Sequence, residues 1–330
     1  VPWVSHHDCF CFQLQARIGI ARYPEHSDKV NILLQMADTA LHDTRTNRQP
    51  TQIYDPALDN NTLERLSLIN DFKNAVIDNQ LELHDQRKMD MKSGIITHME
   101  ALVRWQHPSL GMVPPDNFIP IAEQTGQINE LTFWVMETAI NQQTLWLEQD
   151  MDINIAVNIS AESLRDPSFY DFVCTTLANA NVASSKVTLE VTESAVVEDP
   201  ESAIALLQCF KDSGVFLSID DYGTGYSSLA QLKQLPVHEL KIDKSFVQGV
   251  PNDGYDAAIV ETTMVMSNHL GLTVVAEGVE DLHQLAFLKE LGCQLYQGFL
   301  HSKPLPRDEL LVQIAKGSQP LQACLPVVHG

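Results

Sequence analysis

The sequence has 330 residues, of which 44% are hydrophobic, and a formal net charge of −22. This length allows one large domain or two ordinary ones, and the acidity argues against DNA or RNA polymers as partners, because these need a basic face. The six cysteines lack CxxC spacing, which argues against a structural zinc site. No apolar run reaches the roughly 20 residues that span a bilayer, so we expect no membrane segment in this chain. The scattered cysteines favour reduced thiols and a cytoplasmic location.

The first 60 residues predict a short α+β segment. The run ARIGIARYP is typical of a strand that ends at Pro24, Val30–Thr44 has helical spacing of apolar residues, and Gln52–Tyr54 is a candidate strand. About 50 residues without disulfides or metal rarely fold alone, so this segment is expected to be part of a domain. A capping-box pattern at Asn61 then predicts the start of a packing helix.

The remaining sequence alternates between strand-like runs and helical segments. The runs lie near Leu81–Leu83, Ile95–Leu102, Ile153–Ile159, Val187–Val191, Phe216–Ile219, Glu239–Ile242, Val274–Ala276 and Gln294–Tyr296. Eight strands with intervening helices over about 250 residues predict an α/β fold, a (βα)8 barrel of the TIM type. A doubly wound open sheet is the alternative, but the sequence has no GxGxxG or Walker-type loop to support it.

Polar residues stand at the ends of seven of these runs. They are Glu100, Asn158, Glu190, Asp220 with Asp221, Lys241, Glu277 and Gln297. Because the carboxyl ends of parallel barrel strands meet at one face, we expect these side chains to converge there.

The adjacent carboxylates Asp220 and Asp221 are the most informative pair. Like charges raise each other's pKa unless a cation lies between them, although Asp220 could instead cap the turn at Gly223. With Glu100, Asn158 and Glu190 the ligand set is all oxygen, which favours Mg²⁺ or Mn²⁺ over zinc. Two such cations and a base predict an in-line attack of water on a phosphate ester.

The other polar residues each have two interpretations. Lys241 could orient a water or form a salt bridge, and Glu277 is a candidate general base. Arg104 could hold a phosphate with its guanidinium fork or lie on the surface. Gln297 could fix a water or a ligand, or stabilise a turn. Glu193 is expected to orient a loop.

Eight motifs together resemble a known family. In chain order they are EALVRWQHP, FIPIAEQTG, VNIS, LEVTES, IDDYGTGYSSL, LKIDKSFV, VAEGVE and QGFLHSKPLP. Over residues 62–316 they are similar to the EAL domain, a modified (βα)8 barrel that linearises cyclic di-GMP to pGpG. Upstream, GIARYP and ADTAL resemble the end of a GGDEF domain, the diguanylate cyclase fold, but the GGDEF signature is absent, so we expect no cyclase activity.

The resemblance implies roles for individual residues. Two Mg²⁺ or Mn²⁺ ions would be bound, the first by Glu100, Asn158, Glu190 and Asp220 and the second by Asp221. The attacking water would be served by Lys241 and Glu277, and the residues near the substrate would be Gln86, Leu102, Arg104 and Gln297. Glu193 would hold the loop 221–228, which in this family links the metal site to the dimer interface. We therefore expect a homodimer that binds cyclic di-GMP.

The expected domains are a partial GGDEF-like segment (1–60), the EAL barrel (61–318) and a tail (319–330). The chain begins with Val, and a full-length protein could carry a membrane anchor elsewhere.

Three residues depart from the family pattern. Arg87 stands where Pro is usual, His98 where Gly is usual, and Gln294 where Asp is usual. We expect these changes to affect substrate affinity more than chemistry.

Two other functions are possible in principle. A non-catalytic cyclic di-GMP receptor that signals through a partner would often lack part of the ligand set, which is complete here. A barrel enzyme that abstracts a proton beside a carboxylate, with Lys241 as base, is disfavoured by the EAL and DDYGTG motifs.

Overall fold

A computed structural model describes residues 3–7, 10–14, 17–46, 50–224 and 229–310. The chain divides into two compact units, Val1–Lys73 and Asn74–Gly330. The expected division into 1–60, 61–318 and 319–330 stays a prediction, and the tail lies outside the described residues. Within the described ranges, none of the helices combines the length and apolar character needed to cross a bilayer.

The first unit contains two small strand pairs, a helix and nearly all of a second helix. The elements up to residue 75 are β1 (Trp3–His7), β2 (Phe10–Leu14), β3 (Ile18–Ile20), α1 (Val30–Thr46), β4 (Thr51–Ile53) and α2 (Pro56–Ala75). β1 and β2 pair antiparallel, whereas β3 and β4 pair parallel with α1 in the connection between them. The strand–helix–strand prediction is thus confirmed. The helix expected from Asn61 begins earlier, because Pro56 suits a first helical turn.

The second unit is an α/β barrel. Its strands are β5 (Leu81–Asp90), β6 (Ile96–His107), β7 (Gly111–Val113), β8 (Asn154–Ile159), β9 (Val187–Thr192), β10 (Phe216–Tyr222), β11 (Glu239–Ile242), β12 (Thr273–Ala276), β13 (Leu295–Tyr296) and β14 (Leu305–Pro306). Its helices are α3 (Pro115–Gln124), α4 (Ile128–Leu147), α5 (Ser168–Ala180), α6 (Glu193–Glu198), α7 (Pro200–Asp212), α8 (Leu229–Leu232), α9 (Lys244–Val247), α10 (Gly254–Leu270) and α11 (Leu282–Glu290). β5, β6 and β8 to β13 form a closed ring in the order β5-β6-β8-β9-β10-β11-β12-β13, which confirms the TIM-type barrel.

The direction of β5 distinguishes this barrel from a fully parallel one. β5 runs antiparallel to both of its neighbours in the ring, β6 and β13. Only residues 91–95 connect β5 to β6, and so short a connection forms a hairpin, whereas a parallel crossover needs a dozen residues or more. As a result Gln86, in the middle of β5, lies directly opposite Glu100 of β6.

Helix caps follow the sequence pattern closely. Asp199 accepts a hydrogen bond from the Ser202 backbone N–H at the start of α7, where Pro200 is the first helical residue. Asp281 and Gln284 form a reciprocal capping box at the start of α11. Such caps satisfy backbone N–H groups in the first turn, which have no partner within the helix.

Candidate active site

The predicted polar residues meet at one end of the barrel. Glu100 lies on β6, Asn158 on β8, Glu190 on β9, Asp220 on β10 and Lys241 on β11, while Glu277 and Gln297 directly follow β12 and β13. The parallel register puts Asn158 beside Glu190, since the two are directly paired across β8 and β9. The expected convergence is therefore observed.

Lys241 lies at the centre of the carboxylates. Its Nζ is 2.7 Å from Glu277, 2.8 Å from Glu190, 3.1 Å from Asp220 and 3.5 Å from Glu100. Burial alone would lower the pKa of Lys241, but the surrounding carboxylates raise it well above its ordinary value. The ammonium group is therefore a fixed positive charge in an acidic site.

Glu100 is held by two amide side chains. Asn158 Nδ2 donates to Glu100 Oε1 at 2.8 Å, and Gln297 Nε2 donates to Glu100 Oε2 at 2.6 Å. Gln297 Nε2 also lies 3.0 Å from Gln86 Oε1. The Oε1 atom of Gln297 is buried without a hydrogen-bond partner among the described residues, so it offers a further oxygen donor at the edge of the site.

Two groups of carboxylates could each hold a metal ion within the described part of the chain. The first is Glu100, Glu190 and Asp220, and the second is Asp220, Asp221 and Glu277. In each group the carboxylate oxygens lie within 4.8 Å of one another. Asp220 belongs to both groups. This all-oxygen donor set fits hard divalent cations.

Asp221 and Glu277 are carboxylates with raised pKa values. Burial, and then the charge of Asp220, raises the pKa of Asp221 to about 6, and its backbone has a left-handed φ of 54°. Burial raises the pKa of Glu277 to about 8, although Lys241 opposes the change. Groups whose pKa lies near neutrality can exchange protons with a reacting water, which suits the role expected of Glu277.

An open cavity of about 360 Å³ lies beside the carboxylates. The expected substrate-binding residues Gln86, Leu102, Arg104 and Gln297 all line it, together with Asp220 and Glu277. The Arg104 guanidinium donates to the backbone oxygen of Val103 at 2.8 Å, and burial lowers its pKa. Gln86 Nε2 donates to the backbone oxygen of Ser302 at 3.3 Å.

Glu193 supports the turn after β10. It is buried at the start of α6, and its Oε2 accepts a hydrogen bond of 3.1 Å from the backbone N–H of Gly223. Residues 225–228 of the expected loop 221–228 lie outside the described residues. The described part of the turn is thus held by the predicted residue.

The three departures from the family pattern have structural contacts. Arg87 is buried, and its Nη1 lies 3.5 Å from His301 Nε2, on the other side of the strand from Gln86. His98 Nε2 is 3.2 Å from the Asn154 side-chain nitrogen. Gln294 Oε1 accepts a hydrogen bond of 2.8 Å from a backbone N–H of β12.

Sequence reasoning missed two charged residues beneath the site. Lys88 and Glu239 are buried inside the barrel, and Lys88 Nζ is hydrogen-bonded to Glu190 and to Glu239. Strand alternation could have identified them, because residues two apart on a strand point to the same face. Lys88 is two residues from Gln86, and Glu239 is two residues from Lys241.

Several known proteins are similar to this chain in sequence and fold. A family model described as "EAL domain" matches residues 69–304. The bifunctional diguanylate cyclase/cyclic di-GMP phosphodiesterase MucR of Pseudomonas aeruginosa is 39% identical over 314 residues, which are 94% of this chain and 45% of MucR. The cyclic di-GMP phosphodiesterase NbdA of the same organism is 40% identical over 295 residues, or 89% of this chain and 38% of NbdA.

The chain therefore spans less than half the length of these curated relatives. A solved structure, the PaMucR phosphodiesterase in a c-di-GMP complex, is 42% identical and superposes with a TM-score of 0.72, covering 74% of this chain and 99% of that chain. The matching fold extends over nearly all of that structure. Because the family model matches well over half of the sequence, the chain belongs to the EAL domain family.

Proposed function

We propose that this chain is a metal-dependent phosphodiesterase that hydrolyses cyclic di-GMP to linear pGpG. The observation that carries the proposal is the pair of acidic groups sharing Asp220 at the wall of the cavity. The printed names of MucR and NbdA, and the c-di-GMP complex of PaMucR, support the choice of substrate.

The donor set supports two Mg²⁺ or Mn²⁺ ions per site. Glu100, Asn158, Glu190 and Asp220 would hold one ion, and Asp221 would hold the second. Such cations, when bound, activate water and stabilise negative charge on the phosphate. The buried oxygen of Gln297 and the raised pKa of Asp221 both fit a site that is complete only with cations.

Lys241 and Glu277 would carry the proton transfer. Glu277 accepts the proton of the attacking water, and the ammonium of Lys241, 2.7 Å away, orients the carboxylate and stabilises charge. Water adds to one phosphorus, the P–O bond to one ribose oxygen breaks, and that oxygen takes up the proton that Glu277 received, so the product is linear. Arg104 would bind phosphate, Leu102 would make an apolar contact, and Gln86 and Gln297 would orient the ligand.

Hydrolysis of cyclic di-GMP by the purified chain tests the function. We expect pGpG to accumulate with Mg²⁺ or Mn²⁺, and not with a chelator. Asp220→Asn should abolish the reaction because it removes a carboxylate from both acidic groups. Metal-supported binding without any pGpG would instead favour the receptor that signals through a partner.

We also propose that the chain forms homodimers and acts in the cytoplasm. The proposal rests on the family resemblance, in which loop 221–228 links the metal site to the dimer interface; here Glu193 holds the start of that loop through the Gly223 N–H. Sedimentation velocity over a micromolar concentration series should show a dimer. A monomer at every concentration would contradict this assembly.

A further inference from the structure

The interior of the barrel has a charged layer below the metal-binding carboxylates. Interiors of TIM barrels are ordinarily packed with branched apolar side chains. Here Lys88 and Glu239 are buried, and their charged atoms lie 3.2 Å apart. Burial would lower the pKa of Lys88, but Glu190 and Glu239 raise it above its ordinary value, so the ammonium stays charged.

Lys88 and Lys241 divide the two oxygens of Glu190 between them. Lys88 Nζ is hydrogen-bonded to Oε1, while Lys241 Nζ is 2.8 Å from Oε2. Lys88 is in turn held by Glu239, whose Oε1 accepts a hydrogen bond of 2.9 Å from Ser218 Oγ. The carboxylate of Glu190 therefore cannot rotate without breaking a buried charged hydrogen bond.

The antiparallel direction of β5 makes this contact possible. Along β5 the chain runs from Gln86, opposite Glu100, towards Lys88, opposite His98. Glu100 is two residues further along β6 than His98, so Lys88 enters the barrel one layer below the carboxylates.

We propose that Lys88 is a positioning residue that fixes Glu190 so that only its Oε2 atom faces the bound cation. This inference rests on the proposed function, because it assumes the cation site. Residues that orient a metal ligand from behind commonly contribute a factor of about 10 to 100 in metal affinity.

Binding of Mn²⁺, followed by electron paramagnetic resonance without substrate, tests the inference. The two variants compared are Glu239→Gln and the double variant Lys88→Met with Glu239→Gln. The double variant avoids leaving Glu239 buried without its counter-charge. We expect it to bind Mn²⁺ at least about tenfold more weakly than Glu239→Gln alone.

Without a positioning role for Lys88, electrostatics predicts the opposite change in Mn²⁺ affinity. Loss of the Lys88 charge makes the site more negative, so without a positioning role the double variant should bind Mn²⁺ more tightly than Glu239→Gln. Equal or tighter binding by the double variant would overturn the inference.

Thermal unfolding in chelator separates positioning from a purely structural role. A structural role would lower Tm while leaving the Mn²⁺ affinity of the folded protein unchanged, and that result also overturns the inference. Failure of the wild-type chain to bind Mn²⁺ would refute the proposed metal site itself. Normal Mn²⁺ binding by the wild-type chain, together with unweakened binding by the double variant, would refute only the role of Lys88.

Discussion

Glu277 combines a raised pKa with contact to the central lysine. Its side chain is 17% exposed and its carboxylate is 2.7 Å from Lys241 Nζ, at the wall of the cavity. A buried carboxyl group with a raised pKa that is still reachable from the cavity suits proton transfer better than it suits stability.

Replacement of Glu277 by Gln should leave ligand binding within a few-fold and lower turnover by about 10² to 10⁴, because a general base is lost. Cyclic di-GMP binding and pGpG release, measured on the same samples, check this. Glu280→Gln is the matched control, since Glu280 also lines the cavity but is exposed. Undiminished turnover in Glu277→Gln would refute its role as base.

Asp85 is a buried carboxyl away from the carboxylate cluster. Gln142 donates to its Oδ2, while its Oδ1 has no hydrogen-bond partner among the described residues. Burial raises the pKa of Asp85 from 3.8 to about 7, although Gln142 and Arg307 oppose the change. The folded protein thus holds a proton on Asp85 that the unfolded chain releases at neutral pH.

The stability that depends on this proton is greatest below pH 3.8 and is lost as pH rises to about 7. Asp85→Asn should therefore raise the free energy of unfolding at pH 8 by about 1–3 kcal/mol, with a smaller gain at pH 5. Urea denaturation at pH 5 and at pH 8 measures this change in the free energy of unfolding.

Asp78→Asn, at an exposed position, supplies the comparison for Asp85→Asn. This control should change stability little at either pH. A gain for Asp85→Asn that is the same at pH 5 and pH 8 would show that its pKa is not raised.

The turn after β10 depends on backbone geometry that only glycine adopts easily. Gly223 has a φ of +99°, and a Cβ there would lie 2.9 Å from the Phe246 ring. The backbone N–H of Gly223 donates a hydrogen bond to the Glu193 carboxylate. The turn thus joins a backbone conformation that requires glycine to a buried carboxylate next to the proposed metal site.

Gly223→Ala should reduce stability by about 1–3 kcal/mol and also reduce turnover, because the turn must move away from Phe246. Gly254→Ala is the control, since a Cβ at this first residue of α10 meets nothing within 4 Å. That change should be neutral or slightly stabilising. Chemical denaturation and the pGpG assay distinguish the two variants, and equal behaviour would contradict the strain argument.

At the scale of the whole molecule, the net charge of −22 includes several carboxylates gathered at one end of the barrel. Divalent cations should relieve their repulsion and bind only the folded chain. Millimolar Mn²⁺ or Mg²⁺ should raise the apparent Tm, as ligand binding does through mass action. Scanning calorimetry checks this against KCl of the same ionic strength and against Asp220→Asn. An equal rise with KCl would indicate screening alone.

Much of the barrel could be predicted because the strands from β8 to β12 are short apolar runs with a polar residue at or near the carboxyl end. The resemblance to the EAL family is confirmed, while the likeness of residues 1–60 to GGDEF and the individual site roles stay predictions. The hairpin of β5 and β6 was not predicted, although the short connection 91–95 indicated it. The sequence did not indicate the surroundings of Arg87, which is buried beside His301.

By itself the sequence determined most of the barrel strands and the polar residues that reach the open end, because these depend on local periodicity and side-chain chemistry. The tertiary structure decided what those residues contact. Lys88 reaches Glu190, which is 102 positions away, and Lys241 reaches Glu100, which is 141 positions away. Such pairings depend on strand direction and ring closure, which periodicity along the chain does not encode.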